Sequence, residues 1–373
     1  MRILYVCTFY ERAMIFRDAM NYLEQRGHSL TAFNAVPKGT VIDDKYKPIM
    51  DEKVIHRECF TRYDRYVFPI KQKKIKESIE NNIDISRFDL IHSHTLFNGG
   101  WATYQLNRKY DIPYVVTVRN TDMNIFLKIP LFKMIAVKIL DHASGVLFLS
   151  EPYRDKVLKQ CFKKNDRERI LKKCAVIPNG LEPFWIENIN KPKKITSPVD
   201  LLYVGRVDRN KNIETTLKVL ELLNEEGIDT RLTVVGQIMY DSAKQSLEQN
   251  VHTTVVPFMD KEELVRYYRN GDIFIMPSFH ESFGRVYVEA MTQGTPVIYT
   301  RGEGFDNTFP EGTVGYSVKP DSIEEIAASV KRIIKDYPEI SKNCIDNCRM
   351  FDWVMIAQQL EEFYTQAIAS TNR

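Results

Sequence analysis

Two carboxylates, Glu281 and Glu289, stand eight positions apart in P-S-F-H-E-S-F-G-R-V-Y-V-E-A-M-T-Q-G-T-P-V, residues Pro277 to Val297, with Gly284 between them. The run follows the apolar stretch Ile273–Met276, which reads as a buried strand. Glu281–Gly284 then forms the turn at its carboxyl end. Arg285–Gln293 reads as a helix closed by Gly294, with Pro296 beyond. Such a turn offers free N–H groups at a helix N-terminus, an anion site. Gly284 lets a ligand approach the backbone closely. Carboxylates repel phosphate but accept hydrogen bonds from vicinal sugar hydroxyls. A nucleotide diphosphate-sugar satisfies both demands. The plainer alternative makes Glu289 an exposed helix residue and Glu281 an N-terminal cap.

A second group lies in Tyr203-Val204-Gly205-Arg206-Val207-Asp208-Arg209-Asn210-Lys211-Asn212, between a strand and a helix. Arg206 and Lys211 are cations at a strand's carboxyl end, placed to hold a diphosphate and neutralise a departing nucleotide. Ordinary loop charge is the alternative. Other chemistries lack their residues. Gly302-x-Gly304 has Asn307 where the third glycine of a dinucleotide fingerprint belongs, no P-loop motif occurs, and no D-x-D pair is present.

The elements that must position these residues repeat twice. In the first half, strands are expected at Ile3–Thr8, Leu90–His94, Tyr114–Val118 and Gly145–Leu149. Helices are expected at Ile15–Arg26, Trp101–Tyr110, Leu131–His142 and Pro152–Cys161. Residues Glu187–Pro198 read as a linker. The alternation then restarts with strand Leu201–Val204, helix Ile213–Asn224, strands Leu232–Val235 and Thr254–Val256, helix Lys261–Asn270 and strand Ile273–Met276. Short apolar strands between amphipathic helices argue for parallel sheets covered on both faces. Two α/β domains with a cleft between them follow, ligands binding beyond the carboxyl ends of the strands.

A chain of 373 residues fits two domains. No apolar run reaches the roughly 18 residues of a spanning helix, and the opening residues lack a signal-peptide pattern. The six cysteines form no disulfide or zinc pattern, and reduced thiols in a cytoplasmic protein are expected. The net charge of +3 hides an asymmetry: residues 1–195 hold 34 Lys and Arg against 22 Asp and Glu, the rest 18 against 27. The basic half suits an anionic membrane surface or an anionic substrate; a solvated Lys-rich surface is the alternative. Tyr66–Lys76 and Phe126–Lys138 mix Lys with Phe, Leu and Ile. They suit peripheral docking on the inner face of a membrane, or are ordinary core helices.

The run P-S-x-x-E-S-F-G-x-x-x-x-E-A-M-x-x-G-T-P-V, preceded by Y-V-G-R-x-x-x-x-K-N and by V-I-P-N-G-L-E at Val176–Glu182, resembles the retaining glycosyltransferases of family 4. The resemblance covers nearly the whole chain. It implies the α/β GT-B fold: two Rossmann-like parallel-sheet domains facing across a cleft, with a C-terminal helix crossing back to the first. Residues 1–185 with 352–373 would form the acceptor domain and 195–351 the nucleotide-sugar domain. It further implies that Arg206 and Lys211 grip the donor diphosphate and that Glu289 binds the ribose. Glu281 and the backbone of Ser282, Phe283 and Gly284 would hold the sugar. The N–H groups of Arg285 and Val286 would meet phosphate, and the strand end at Phe258 would frame the base. The implied reaction is metal-independent hexosyl transfer with retention, UDP favoured over GDP, onto a glycan or lipid-linked sugar. Polysaccharide assembly is the usual setting, with no cofactor and no nucleic-acid partner.

Two departures stand out. The Gly-Gly loop common after the first strand is replaced by Thr8-Phe9-Tyr10-Glu11-Arg12-Ala13, where Arg12 is the candidate to cover the phosphate. A family histidine in T-x-H-x-x-D is replaced by Arg119 in Thr117-Val118-Arg119-Asn120-Thr121-Asp122. An arginine is no base at neutral pH, but it stabilises charge or binds an anionic acceptor. His92 and His94 share a strand face: metal binding, an acceptor-side role for His94 and structural hydrogen bonding all remain open, and no metal is expected. His280 could touch the sugar. Two other functions fit the same residues: a non-catalytic UDP-sugar-binding protein, or another enzyme of this fold such as a phosphorylase or an epimerase.

Overall fold

The structure is a computed structural model and describes residues 1–119 and 121–371. The chain divides into two compact units. One holds Met1–Leu149, Arg154–Gly180 and the chain from Trp353 on; the other holds Ser150–Tyr153 and Leu181–Asp352.

The first unit is built on seven strands, β1 (Arg2–Cys7), β2 (Ser29–Pro37), β3 (Val54–Phe60), β4 (Leu90–Ser93), β5 (Tyr114–Thr117), β6 (Gly145–Phe148) and β7 (Cys174–Val176). All pairings are parallel, in the order β3-β2-β1-β4-β5-β6-β7. Strands β4, β5 and β6 are buried along their whole length, as near-continuous apolar runs require. Helices α1 (Met14–Gln25), α2 (Phe68–Asn82), α3 (Gly100–Tyr110), α4 (Pro130–His142), α5 (Glu151–Cys161) and α6 (Lys164–Leu171) join them. Helix α1 buries Phe16, Ala19, Met20 and Leu23, a stripe at helical spacing. The strand order reverses between β1 and β4, so the loops after these strands diverge and leave a crevice, the usual ligand position of such sheets.

The second unit opens with α7 (Pro183–Glu187) and carries six strands, β8 (Val199–Val204), β9 (Thr230–Val235), β10 (Thr253–Val256), β11 (Ile273–Ile275), β12 (Val297–Thr300) and β13 (Gly315–Val318). They are parallel in the order β10-β9-β8-β11-β12-β13, with the reversal between β8 and β11. Helices α8 (Ile213–Glu225), α9 (Asp241–Gln249), α10 (Lys261–Asn270), α11 (Arg285–Thr292), α12 (Ile323–Lys335) and α13 (Tyr337–Cys348) cover them. The stretch read as a linker is irregular, but it is fastened to this unit. Lys193 Nζ donates to the carbonyls of Tyr268 and Gly271 and to Thr295 Oγ1.

The last helix, α14 (Trp353–Thr371), returns to the first unit and packs on α1 and on β5 and β6. Tyr364 anchors it, its hydroxyl 3.1 Å from that of Tyr5 and 2.7 Å from His92 Nδ1. At the helix start Trp353 lies against Gly180, where a Cβ would fall 2.3 Å from the indole. Only glycine admits that contact, which accounts for Gly180 in the V-I-P-N-G-L-E run.

Candidate active site

In the second unit, Asp208 organises the loop after β8. Its Oδ1 accepts the N–H groups of Asn210 (3.1 Å) and Lys211 (3.2 Å), which shapes the turn Arg209–Lys211. Its Oδ2 takes Arg206 Nε at 2.9 Å and Nη2 at 2.7 Å. One carboxylate therefore sets both cations singled out from the sequence. The turn is then tied to the loop after β11. Phe279 N–H donates to the Asn210 carbonyl at 2.8 Å, and Asn210 Nδ2 to the His280 carbonyl at 2.9 Å.

These links bring Lys211 Nζ to 2.6 Å from Glu281 Oε2. The other carboxylate oxygen accepts the Ser282 N–H at 3.1 Å. The main chain of Glu281 is clamped from a third loop: its N–H donates to Glu303 Oε2 at 2.9 Å, and its carbonyl accepts from Gly304 N–H at 2.8 Å. His280 Nδ1 lies 3.5 Å from the other oxygen of Glu303. Reading the sequence missed both Asp208 and Glu303. Asp208 carries a local signal, an Asx residue two and three positions before the N–H groups it caps. Glu303 carries none, because its partner is 22 positions away.

Gly284 precedes α11 with φ of 85°, and a Cβ there would lie 2.4 Å from the Tyr287 ring. A side chain at this position would both strain the backbone and clash. The first N–H groups of α11, those of Arg285 and Val286, have no intrahelical acceptor by construction. Glu289 is half-buried one turn further, where it accepts the Tyr268 hydroxyl at 3.1 Å. Burial pushes its carboxyl up, opposed by the Arg285 guanidinium and the Tyr268 hydrogen bond. Glu281 and Glu289 thus have separate partners, Lys211 and Tyr268. The Phe283 side chain is buried against Phe305 and Phe351, so only its backbone is offered to a ligand. The Ser282 carbonyl accepts from Ser150 Oγ at 3.0 Å. Phe258 is exposed past β10, the edge strand two places from β8.

The first unit has its own cluster beyond β4 and β5. Arg119 Nε donates to the His94 carbonyl at 2.9 Å, and its guanidinium lies 5.9 and 5.4 Å from the ring centres of Phe9 and Phe16. Asp122 holds the loop: its oxygens accept the N–H groups of Arg119 (2.9 Å), Leu96 (3.1 Å) and Phe97 (3.2 Å). Burial pushes this carboxyl up to about 6, although the three N–H groups and the Arg119 charge pull it down. Asn120 of this segment lies outside the described residues.

His94 does not present an open face. It is buried between the rings of His92, Tyr5 and Phe16, with centroids 4.0, 4.3 and 4.6 Å away. Burial, with the charges of His92 and Arg119, pushes its pKa well below the ordinary value and holds it neutral. His92 uses both nitrogens on Tyr364 and Thr117. Among the described residues no three His, Cys, Asp or Glu side chains are grouped as metal ligands. The Arg12 side chain is exposed, with Nε 3.1 Å from the buried Glu11 carboxylate.

Comparison with known proteins places both units. Residues 14–183 match the family described as Glycosyltransferase Family 4, and residues 186–351 match Glycosyl transferases group 1. A glycogen synthase of Mycobacterium tuberculosis is 28% identical over 208 residues, 53% of this chain and 49% of that protein. The match therefore spans about half of that relative's length. Sucrose-phosphate synthase of Thermosynechococcus elongatus shares the fold with a TM-score of 0.76 at 20% identity, over 99% of this chain and 100% of that one. Anabaena HepE, solved in complex with UDP, does so with a TM-score of 0.69 at 18% identity, over 97% and 99%. The chain belongs to the group 1/family 4 glycosyltransferases, with the GT-B fold.

Proposed function

We propose that this protein is a retaining glycosyltransferase that moves a hexose, without a metal, from a nucleotide diphosphate-sugar to a glycan or lipid-linked sugar. The observation that carries this reading is the Lys211–Glu281 pair, set by Asp208 and adjoining the start of α11. An ammonium has three donors, so Lys211 can keep Glu281 and still meet a phosphate oxygen. Arg206 gives Asp208 its Nε and one terminal nitrogen, which leaves other N–H groups for the diphosphate. Glu281 can accept a sugar hydroxyl, and Glu289 a ribose hydroxyl. UDP is the favoured nucleotide, supported by a neighbour of the same fold solved with UDP and with UDP-glucose.

In the proposed step the bond between sugar C1 and the diphosphate oxygen breaks with its electron pair going to phosphate. The acceptor hydroxyl oxygen bonds C1 on the same face, and its proton passes to the leaving diphosphate. Lys211 and Arg206 stabilise the charge that develops there. The test is transfer and slow hydrolysis of UDP- and GDP-hexoses with and without EDTA, with the product anomer read by NMR. EDTA-insensitive formation of a retained product is expected. Loss of turnover in EDTA, an inverted product, an acceptor-independent epimer, or UDP binding without turnover would each refute a named part of the reading.

Docking on an anionic membrane surface is a second element of the proposal. Tyr66, Ile125, Leu131 and Met134 are 88%, 59%, 62% and 70% exposed. Phe68 at the start of α2 and Phe132 in α4 are in ring contact, which brings the segments that carry these residues together, and Lys128 and Lys138 in the second segment are exposed. Apolar side chains among lysines suit the interface of an anionic bilayer. Among the described residues no helix is long and apolar enough to cross one. Flotation with phosphatidylglycerol vesicles at low salt is expected, weakened in Leu131→Glu/Met134→Glu. No flotation at low salt would remove this element.

A further inference from the structure

The first unit holds a cavity of about 30 Å³ whose lining includes Arg119, His94, Asn179 and Trp353. That is room for a water or the tip of one polar group. His94 is 5% exposed and Trp353 3% exposed. Both ring nitrogens of His94 and the indole Nε1 of Trp353 lack a hydrogen-bond partner among the described residues. A buried polar group left unmade costs about 1–3 kcal/mol, so two such residues lining one cavity point to a partner from outside the chain.

The lining also fixes the partner's chemistry. The indole nitrogen only donates, the guanidinium only donates, and a neutral imidazole offers one donor and one acceptor. Arg119 is held in place for such a role: Nε on the His94 carbonyl, N–H on Asp122, guanidinium over Phe9 and Phe16. The Asp122 oxygens are themselves taken up by three backbone N–H groups. The one charged side chain named in this lining, Arg119, is a cation, and the half of the chain that carries it is basic, with 34 Lys and Arg against 22 Asp and Glu in residues 1–195. We propose that this cavity, through Arg119, His94 and Trp353, receives one oxygen of the anionic group of an acidic saccharide, a uronate carboxylate or a sugar phosphate. The inference rests on the transfer reading above and narrows its substrate class.

The test measures binding of methyl glucuronoside, glucose 6-phosphate and methyl glucoside to the full chain by ligand-observed NMR, with the UDP thermal shift recorded in parallel. Wild type is expected to bind one of the acidic sugars at least tenfold more tightly than the neutral one, and which one binds distinguishes carboxylate from phosphate. Arg119→Gln should abolish the preference, Arg119→Lys should keep part of it, and Trp353→Phe should weaken it. The UDP shift should remain in all three, which shows that they fold. Equal binding of all three sugars, no binding of either acid, or an undiminished preference in Arg119→Gln would overturn the inference. Absence of the UDP shift in wild type would instead count against the donor reading.

Discussion

Lys211 and Glu281 are 70 positions apart in the chain, and their side chains meet at 2.6 Å. The contact closes a frame in which Asp208 shapes the lysine's turn, Asn210 ties that turn to the next loop, and Glu303 holds the glutamate's main chain. A cation and a hydroxyl acceptor are thereby fixed at the reversal of strand order in the second unit. Lys211→Ala and Glu281→Ala should each lower kcat by about 10²- to 10³-fold. The pair is largely shielded, its side chains 21% and 16% exposed, so removing one partner leaves the other unpaired and should lower stability by about 1–3 kcal/mol, less than the roughly 5–15 kcal/mol that holds a domain together. Initial rates and thermal melts on the same preparations check this, and wild-type turnover in either variant would remove the assignment.

Asp208 should matter through Arg206 and Lys211 rather than by touching substrate. Asp208→Asn retains an oxygen for the Asn210 and Lys211 N–H groups but loses the charge that orients Arg206. Asp208→Ala loses both. The donor KM should rise about tenfold in the alanine variant and less in the asparagine variant, each net hydrogen bond being worth about 1 kcal/mol. Equal KM values in both variants and wild type would contradict this role.

Asp122 should give activity an acidic limb near pH 6. Burial pushes its carboxyl up to about 6, and once protonated it can no longer accept all three N–H groups that fix Arg119. Turnover should fall as pH drops through 6, and Asp122→Asn should lack that inflection. Stability runs the other way. The folded pKa lies above the ordinary value of about 4, so the group's contribution is complete below about pH 4 and lost as pH rises through 6. Rates and melts from pH 4 to 7 read both signs.

Lys193 should make stability rise in alkali. Burial pushes its ammonium down to about 8, below the ordinary value of about 10.4. The folded state therefore binds this proton more weakly, and stability should increase between about pH 8 and 10, by about 2 kcal/mol. Melts of wild type and Lys193→Met across that window should converge as pH falls. A constant difference would show that burial does not shift the group.

What the sequence reveals depends on where each interaction lies along the chain. Strands β1, β4, β5, β6 and β8 are legible as short apolar runs, and α1, α8 and α10 as apolar stripes. Strands β2 and β3 escape notice: β3 lies at the sheet edge, and its V-I-H-R-E-C-F mixes polar and apolar residues. The segment Cys174–Val176 is too short to stand out. Helix α12, I-E-E-I-A-A-S-V-K-R-I-I-K, has clear periodicity and could have been read. In the site, Arg206, Lys211, Glu281, Gly284 and Glu289 are legible from type and spacing. Asp122 and Glu303 are not, because they act on backbone N–H groups of loops that only the fold brings near. His94 reads from the sequence only as a strand-end residue, because the rings that pack around it come from Tyr5, Phe16 and His92, two of them distant in the chain.

The most direct test of the central claim is the thermal shift of the purified chain with UDP, GDP and ADP, in wild type and Lys211→Ala. The expected result is marked stabilisation of wild type by UDP that is largely lost in Lys211→Ala. Stabilisation by none of the three nucleotides would contradict the donor site built around Lys211 and Glu281.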